Sequence, residues 1–419
     1  METVVMSKKE QFLRNMVLAE SSTHNSSIEK ALKKIKTLDF PDRKIEDWKY
    51  TKVNKIINSE WSKSETTTTV FPNDFNIEGD RRKVFIIDGK IDTISSDIKK
   101  DEGGLKLSVD GSFSGSFGKK TADSDSIFTH INTAYHTAAI DLFFSANLNL
   151  EKPIDIYVYN TKAVIAQPRI NFLAEENSSA EINLFIFSTP DARSFTNMVI
   201  EGELKKGANI TLNKIQFEAS LAKQIATEEI YQHTQSEFTI NTVTLNGGFV
   251  RNGLNIYVDG ENCKTHLYGL YLLKENQHVD NHTKVDHLRA NCESNEIYKG
   301  VIDESATAVF NGKVYVRPNS QKINAFQNNR NIVMTDTAAI YTKPELEIYA
   351  DDVKCSHGCT VGQLDEKALF YLKTRGMSEK KAKELLIAAF AADVLNNIAS
   401  EPVKNKVNQL LTSRFGWGM

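Results

Sequence analysis

Residues 178–217 read SSAEINLFIFSTPDARSFTNMVIEGELKKGANITLNKIQF. Two small or polar turns, SSAE around Ala180 and KGAN around Ala208, each lead into an apolar or alternating run, EINLFIFS and NITLNKIQF. Alternation with a period of two marks a strand. The same unit returns downstream at SEFT near Phe238, GENC near Cys263 and ESNE near Ser294. The spacing is roughly 25 to 31 residues, the size of one coil of a stacked β-solenoid. Further β-type runs, among them VFIID, IDIYVYN, FTINTVTL, GLNIYV, KTHLYGLYLL, TAVFNGKVYV and LEIYA, extend this character from about Lys83 to Tyr349. Asparagines scattered at the turns suit a solenoid, because Asn tolerates the left-handed backbone. A β-sandwich is the competing architecture, but it wants more Gly/Pro hairpin signals than this stretch holds. The pattern favours the solenoid.

Helical segments flank it. Glu2 to Glu20 spaces Val5, Phe12, Met16 and Val17 among charges, and Ser26 or Ser27 can cap a second helix, IEKALKKIKTL, that ends near Pro41. In PDRKIEDWKYTKVNKI, Trp48 and Tyr50 are expected to anchor this cap to the main body. Residues 62–82 are polar and threonine-rich and read as a linker, and 122–142 as a helical insert. Past Gly362 the chain turns helical again. Asp365 caps EKALFYLKTR, Gly376 stops it, Ser378 starts EKKAKELLIAAFAADVLNNI, and Pro402 sits in the first turn of a last helix. The expected organisation is a helical cap and linker over 1–80, a β core over 81–362 and a helical region over 363–419. The runs ALFYL and LLIAAFAADVL carry more apolar surface than two short helices need. They either pack on each other and on the solenoid end, or receive a partner.

Composition narrows the function classes. The chain has 419 residues, 40% hydrophobic and 25% charged, with a net charge of −3. That balance shows no footprint for nucleic acid or for an anionic membrane. Residues 1–20 are too charged for a secretion signal. The longest apolar run, Leu385 to Ala392, is far short of the roughly 20 residues that span a bilayer. Four cysteines in so long a chain are no disulfide framework. A reducing cytoplasm is the simple reading, with thiols free for metal or sulfur chemistry. The sequence has neither a G-x-x-x-x-G-K-[ST] loop nor a strand-borne G-x-G-x-x-G, so no nucleotide hydrolysis of its own is expected. It has no C-x-x-C, which argues against a closed zinc ribbon or a resident ferredoxin cluster.

The chemistry candidates lie near the end of the β region, in KPELEIYADDVKCSHGCTVGQLDEKALFYLKTR, residues 343–375. Cys355 and His357 follow an alternating run, and if the extended backbone continues both point to one face. A thiolate beside an imidazole is a soft ligand pair suited to iron, zinc or a sulfur-bearing cluster. The same pair has poor geometry for nucleophilic catalysis, because two residues apart on one strand the imidazole is badly placed to take the thiol proton. A second candidate, QHVDNHTKVDH at 277–287, offers His278, His282 and His287 with Asp280 and Asp286. Such a mixture can bind a divalent metal. In a strand, however, His287 falls on the face opposite the other two, so the segment reads as a polar hydrogen-bond ladder.

The stretch KPELEIYADDVKCSHGCTVGQLDEKALFYLKTRGMS closely resembles the SufB/SufD family of iron–sulfur cluster assembly proteins. HLYGLYLLKENQHVDNHTKVDH, NEIYKGVIDESATAVFNGKVYV and QKINAFQNNRNIVMTD agree with it, as does the N-terminal PDRKIEDWKYT. CSHG followed by TVGQLDE resembles the SufD branch. SufB-type chains carry an acidic residue after the histidine and a longer, cysteine-richer N-terminal region. Cys359 stands where the family usually has alanine, and reads as an exchange of one small residue for another rather than an extra ligand.

The resemblance implies a right-handed parallel β-helix between helical caps. It implies a SufB-like partner joined through the β-helix, and a SufC-like ATPase docked on the C-terminal helices of residues 366–397, through which alone ATP enters the cycle. It implies a homodimer when the chain is alone. It places Cys355 and His357 at the SufB–SufD interface as metal ligands for iron or a nascent cluster, held transiently and shared with the partner. On this reading the chain is a non-enzymatic subunit of an assembly scaffold. The alternatives are the SufB-like role of primary cluster scaffold, or a stand-alone β-helix enzyme such as a polysaccharide lyase. The latter would need a carboxylate or basic cluster on one solenoid face, and none is evident.

Overall fold

The computed structural model describes residues 6–14, 16, 26–61, 71–72, 75–97, 104–108 and 117–416. Most of the expected linker, and Val5 and Val17 of the first expected helix, lie outside the described residues. The helical segments described before the β region include Lys8–Leu13, capped by Ser7, and Ser26–Thr37.

Between Arg82 and Gly362 the chain winds through two sheets. Sheet A contains Arg82–Ile87, Ile154–Asn160, Ser179–Ser188, Asn209–Phe217, Glu237–Asn246, Lys264–Leu273, Glu293–Ile302, Ile323–Val333 and Val353–Gly362. Sheet B contains Ala138–Phe144, Pro168–Ala174, Phe195–Leu204, Lys223–Gln232, Phe249–Val258, His278–His287, Thr307–Val316 and Ala339–Ile348. From Pro168 on, long strands alternate between the sheets, and each pairs in parallel with its counterpart one coil away. This is the expected parallel β-solenoid. Asn209 sits opposite Ser179, Glu237 opposite Asn209, Lys264 opposite Glu237 and Glu293 opposite Lys264. The helical insert is shorter than expected. Only Ile127–Tyr135 is helical, and Ala138–Phe144 joins sheet B because its apolar run pairs with Pro168–Ala174.

One corner sets the period. Asn147, Asn177, Gly207, Gln235, Asn262, Asn291 and Lys322 all have φ between 57° and 69°, one in each successive coil. Left-handed backbone is costly for most residues and cheapest for Gly and Asn, which fill five of the seven positions. The N–H of Asn177 donates to Lys206 O at 2.9 Å, that of Gly207 to Thr234 O at 3.0 Å and that of Gln235 to Glu261 O at 2.8 Å. Asn147, Asn291 and Lys322 make the same kind of bond, and these corners thereby secure the next coil.

Ile182, Leu184, Leu212 and Leu267 of sheet A meet Met198, Ile200, Leu254 and Ile256 of sheet B in a continuous core. Burying one such side chain contributes about 1.5–3 kcal/mol. The outer faces are covered too. Helices Glu379–Leu395 and Glu401–Phe415 lay Ile387, Val394, Val403 and Leu411 on Ile215, Val243, Leu270 and Val301 of sheet A. On sheet B the N-terminal helices and Ile127–Tyr135 bury Phe12, Ile35, Phe128 and Ile131 against Phe195, Ile225 and Phe249. Among the described residues, no helix is long and apolar enough to cross a membrane.

Residues 46–51 are pinned to sheet B by a buried ionic knot. Asp280 is fully buried, pairs with Arg251 and accepts the Thr51 hydroxyl at 2.5 Å. His282 Nε2 lies 2.9 Å from its other oxygen. Burial alone would raise this carboxyl, but Arg251, His282 and Thr51 outweigh it and hold Asp280 well below the usual range. Trp48 lies over the Arg251 guanidinium at 3.8 Å, and Tyr50 stacks on Tyr341 at 4.0 Å. The two expected aromatic anchors both make contact with the solenoid.

Polar groups also run inside the solenoid. Lys214 and Glu228 pair at 2.5 Å across the two sheets. Three coils on from Lys214 in sheet A, Glu296 is buried and accepts only neutral donors in its hydrogen bonds, Thr283 Oγ1 at 2.5 Å and Gln327 Nε2 at 2.8 Å. Desolvation pushes its carboxyl up to about 7.

Two outcomes follow from these groups. A carboxyl raised from 4.5 to about 7 on folding contributes its full stability below pH 4.5, and that contribution is lost as pH rises through 7. Glu296→Gln should therefore flatten the pH dependence of denaturant unfolding and be the more stable form at pH 8, by on the order of 2–3 kcal/mol. Asp280→Ala strands Arg251 without its partner and should cost on the order of 3–5 kcal/mol. A lowered Tm, with new protease cleavage near residues 46–51, checks this.

Candidate functional site: the last coil of the solenoid

The strand Val353–Gly362 closes sheet A. It pairs in parallel with Ile323–Val333, which sets Cys355 opposite Ala325, His357 opposite Gln327 and Cys359 opposite Asn329. Val353 and Cys355 pack against the core between the sheets. Side chains alternate along a strand, so His357 and Cys359 belong to the same inner face. The expectation that Cys355 and His357 share a face holds, and Cys359 extends the row.

Same-face neighbours on a strand are roughly 6.6–6.8 Å apart, which puts the two cysteine Cα atoms roughly 13 Å apart. A thiolate holds a metal at about 2.3 Å, so the two cysteine side chains cannot meet around one ion. His357 can share an ion with either thiol but not with both. Among the described residues, no group of three or more His, Cys, Asp or Glu side chains is arranged to hold a metal.

The local electrostatics differ along the row. Cys355 is half-buried, and desolvation pushes its thiol up. A thiol must give up that proton before it can bind a metal. His357 is exposed, beside a cleft of about 330 Å³ that Lys299, Phe326, Arg330 and Asp393 also line. Beneath it lies Gln327, whose amide reaches the buried Glu296. Cys359 donates to Thr342 Oγ1 at 3.3 Å across the two sheets. Thr342 donates in turn to Asn329 Oδ1 at 2.8 Å, and Asn329 to the Tyr271 hydroxyl at 3.0 Å. The outermost thiol is thus joined to the polar interior. Sequence spacing carries a signal for Cys359, since it continues the two-residue period. It carries none for Thr342 or Asn329.

The strand His278–His287 is solenoid wall. His278 shares a hydrogen bond of 2.9 Å with Thr51, and His282 belongs to the Asp280 knot. His287 faces inward, is buried, and meets Ser294 Oγ at 3.0 Å. The odd histidine does fall on the other face, and the segment serves as a hydrogen-bond ladder.

Two features flank the last coil. Ala339–Ile348 and Val353–Gly362 end their sheets, so among the described residues one edge of each is unpaired. Tyr341, Ile348, Tyr349 and Val361 stand exposed there. The helix Glu366–Thr374, capped by Asp365, buries none of its residues, and leaves Phe370 69% and Tyr371 56% exposed.

The family model described as "SUF system FeS cluster assembly, SufBD core domain" matches residues 157–390, which takes in the long coils, Cys355, His357 and most of helix Glu379–Leu395. An iron–sulfur cluster assembly SufBD family protein of Synechocystis is 34% identical over 71% of this chain and 68% of its own length. The iron–sulfur cluster assembly protein SufD of Escherichia coli is 26% identical over 96% of this chain and 95% of its own. The chloroplastic protein ABCI7 of Arabidopsis thaliana is 27% identical over 68% of this chain and 62% of its own. The chain belongs to the SufB/SufD family of iron–sulfur cluster assembly proteins.

Proposed function

We propose that this chain is the SufD-like subunit of a cytoplasmic SufB–SufC–SufD scaffold, and that it presents Cys355 and His357 to iron and the nascent cluster at a seam with a SufB-like partner. One observation carries this reading. The two soft ligands sit on the inner face of the last coil, where both sheets end in unpaired edges. Similarity to a SufD over nearly the whole of both chains supports the SufD-like role over the SufB-like one.

The ligand count supports a shared site. A cluster takes about four protein ligands. The row here offers His357 with one thiol per ion, so the partner supplies the remainder. Open edges carry free backbone donors and acceptors that another solenoid end can pair with. A second copy of this chain can use the same edges when the partner is absent.

The C-terminal helices supply the link to nucleotide. ATP binding and hydrolysis are assigned to the SufC-like ATPase, and no catalysis to this chain. Phe370 and Tyr371 form the apolar docking surface. The neighbouring helix Glu379–Leu395 is bolted to the solenoid by Lys299, which pairs with Asp393 at 2.5 Å and donates to Phe390 O at 2.8 Å. Lys299 lies on the strand beside Ile323–Val333, which in turn backs the Cys355/His357 strand. A shift of the docked ATPase is thereby passed to the site through two paired strands.

His357→Ala should leave the complex assembled by size exclusion while cluster formation, followed by visible absorption and by iron and sulfide analysis, drops at least about tenfold. Unchanged cluster yield in that variant rejects the site. The double change Phe370→Ser with Tyr371→Ser should weaken ATPase binding on the order of 30-fold or more, as loss of an aromatic anchor does. Pairing with the SufB-like subunit, read by co-purification, should stay intact.

A further inference from the structure

Cys263 and Cys292 occupy the same place in successive coils. Each directly follows a left-handed corner residue, Asn262 or Asn291, and directly precedes a strand residue, Lys264 or Glu293, and those two strand residues are register partners. Nothing in the last-coil site uses these thiols. Stacked coils are roughly 4.7–4.9 Å apart, inside the 4.4–6.8 Å range of Cα separations that a disulfide spans. Both side chains are buried, and both thiols converge on one acceptor. Gly260 O lies 3.3 Å from Cys263 Sγ and 3.1 Å from Cys292 Sγ. The column that holds them has a serine, Ser236, one coil before and Ile323 one coil after. Two sulfurs therefore face each other with no third in the stack.

The two thiols are not equivalent. Contact with Cys292, joined by the Ser236 hydroxyl that Cys263 Sγ accepts at 3.7 Å, draws the Cys263 thiol below its ordinary range. The same contact pushes Cys292 up. The pair lies one residue beneath the exposed corners Asn262 and Asn291. A small oxidant reaches it by a local opening of the corner rather than by unfolding of the solenoid.

We propose that Cys263 and Cys292 form an oxidisable dithiol that hydroperoxides convert to a cross-coil disulfide. Cys263 gives its proton to solvent, and its thiolate attacks the terminal peroxide oxygen. The O–O bond breaks, the alcohol leaves with a proton, and Cys263 becomes a sulfenic acid. The Cys292 sulfur then attacks the Cys263 sulfur, and the hydroxide expelled leaves as water with the Cys292 proton. Overall two thiols lose two hydrogens and two electrons, and one hydroperoxide becomes one alcohol and one water. The product staples two coils and spares the buried thiols from further oxidation.

The test uses the full chain with Cys355→Ser and Cys359→Ser, which removes the two exposed or half-buried thiols. The protein is treated with tert-butyl hydroperoxide, unfolded in iodoacetamide and weighed intact. The expected product is two hydrogens lighter, takes up no alkyl group, yields a linked Cys263–Cys292 peptide, reverts with dithiothreitol and melts at a higher temperature than the reduced form. Adding Cys292→Ser should abolish the reversible product and leave a sulfenic acid at Cys263 that dimedone traps. Two alkyl groups after peroxide, irreversible oxygen addition at either thiol, or a link between molecules would each overturn the proposal. Peptide mapping of the oxidised wild-type chain gives the same decision if the serine background folds poorly.

Discussion

The structure depends on one repeated constraint, the corner at which a residue in the left-handed conformation passes its N–H to the carbonyl of the next coil. Wherever that bond forms, the following strand enters its sheet in register with the strand one coil earlier. Like positions then lie over like positions, and every consequence of the fold is a column. Apolar columns make the core, asparagine columns such as Asn183, Asn213 and Asn241 bond in series at 2.7 Å, and the two cysteines meet as neighbours. Stability in such a stack is nearest-neighbour, so no coil holds its core alone.

A solenoid of two flat sheets has two outer faces and two ends, and each must be dealt with. Here the N-terminal helices cover sheet B and the C-terminal helices cover sheet A. Covering both faces allows charge on either side of a strand, provided the charge is paired or kept neutral. Asp280 is held ionised by Arg251, while desolvation pushes Glu296, bonded to neutral groups, up to about 7. The last coil is the exception. It exposes strand edges, the Cys359 thiol and the His357 imidazole together, with the half-buried Cys355 in the same row.

Legibility in the sequence tracks burial. Turns such as KGAN and GENC, and runs such as EINLFIFS, are plain because a small or polar corner meets an apolar strand. Lys223–Gln232, KQIATEEIYQ, is opaque as a strand, because Glu228 pairs inward with Lys214 while its neighbour Glu229 is buried on the outer side. Two charges side by side on a doubly buried strand erase the alternation that pattern reading needs. The insert shows the converse error. Local propensity suggests a helix throughout, and tertiary pairing with Pro168–Ala174 takes Ala138–Phe144 into sheet B. The histidine segment was half legible. Parity separates His287 from His278 and His282, but the partners that give the pair its structural role, Thr51 and Arg251, come from an N-terminal segment and another coil.

By itself, then, the sequence determined what depends on local backbone preference and on a period of two or of one coil. That covers the solenoid, its corners, the helical flanks, the helix caps at Asp365 and Ser378, and the common face of Cys355 and His357. Only the tertiary structure decided which columns form. It joined Cys359 through Thr342 and Asn329 to the interior, stacked Cys263 on Cys292, and tied the N-terminal cap to Asp280. The reason is that a coil varies by several residues in length. Register between coils is set by corner hydrogen bonds and shared packing, and neither can be counted along one chain.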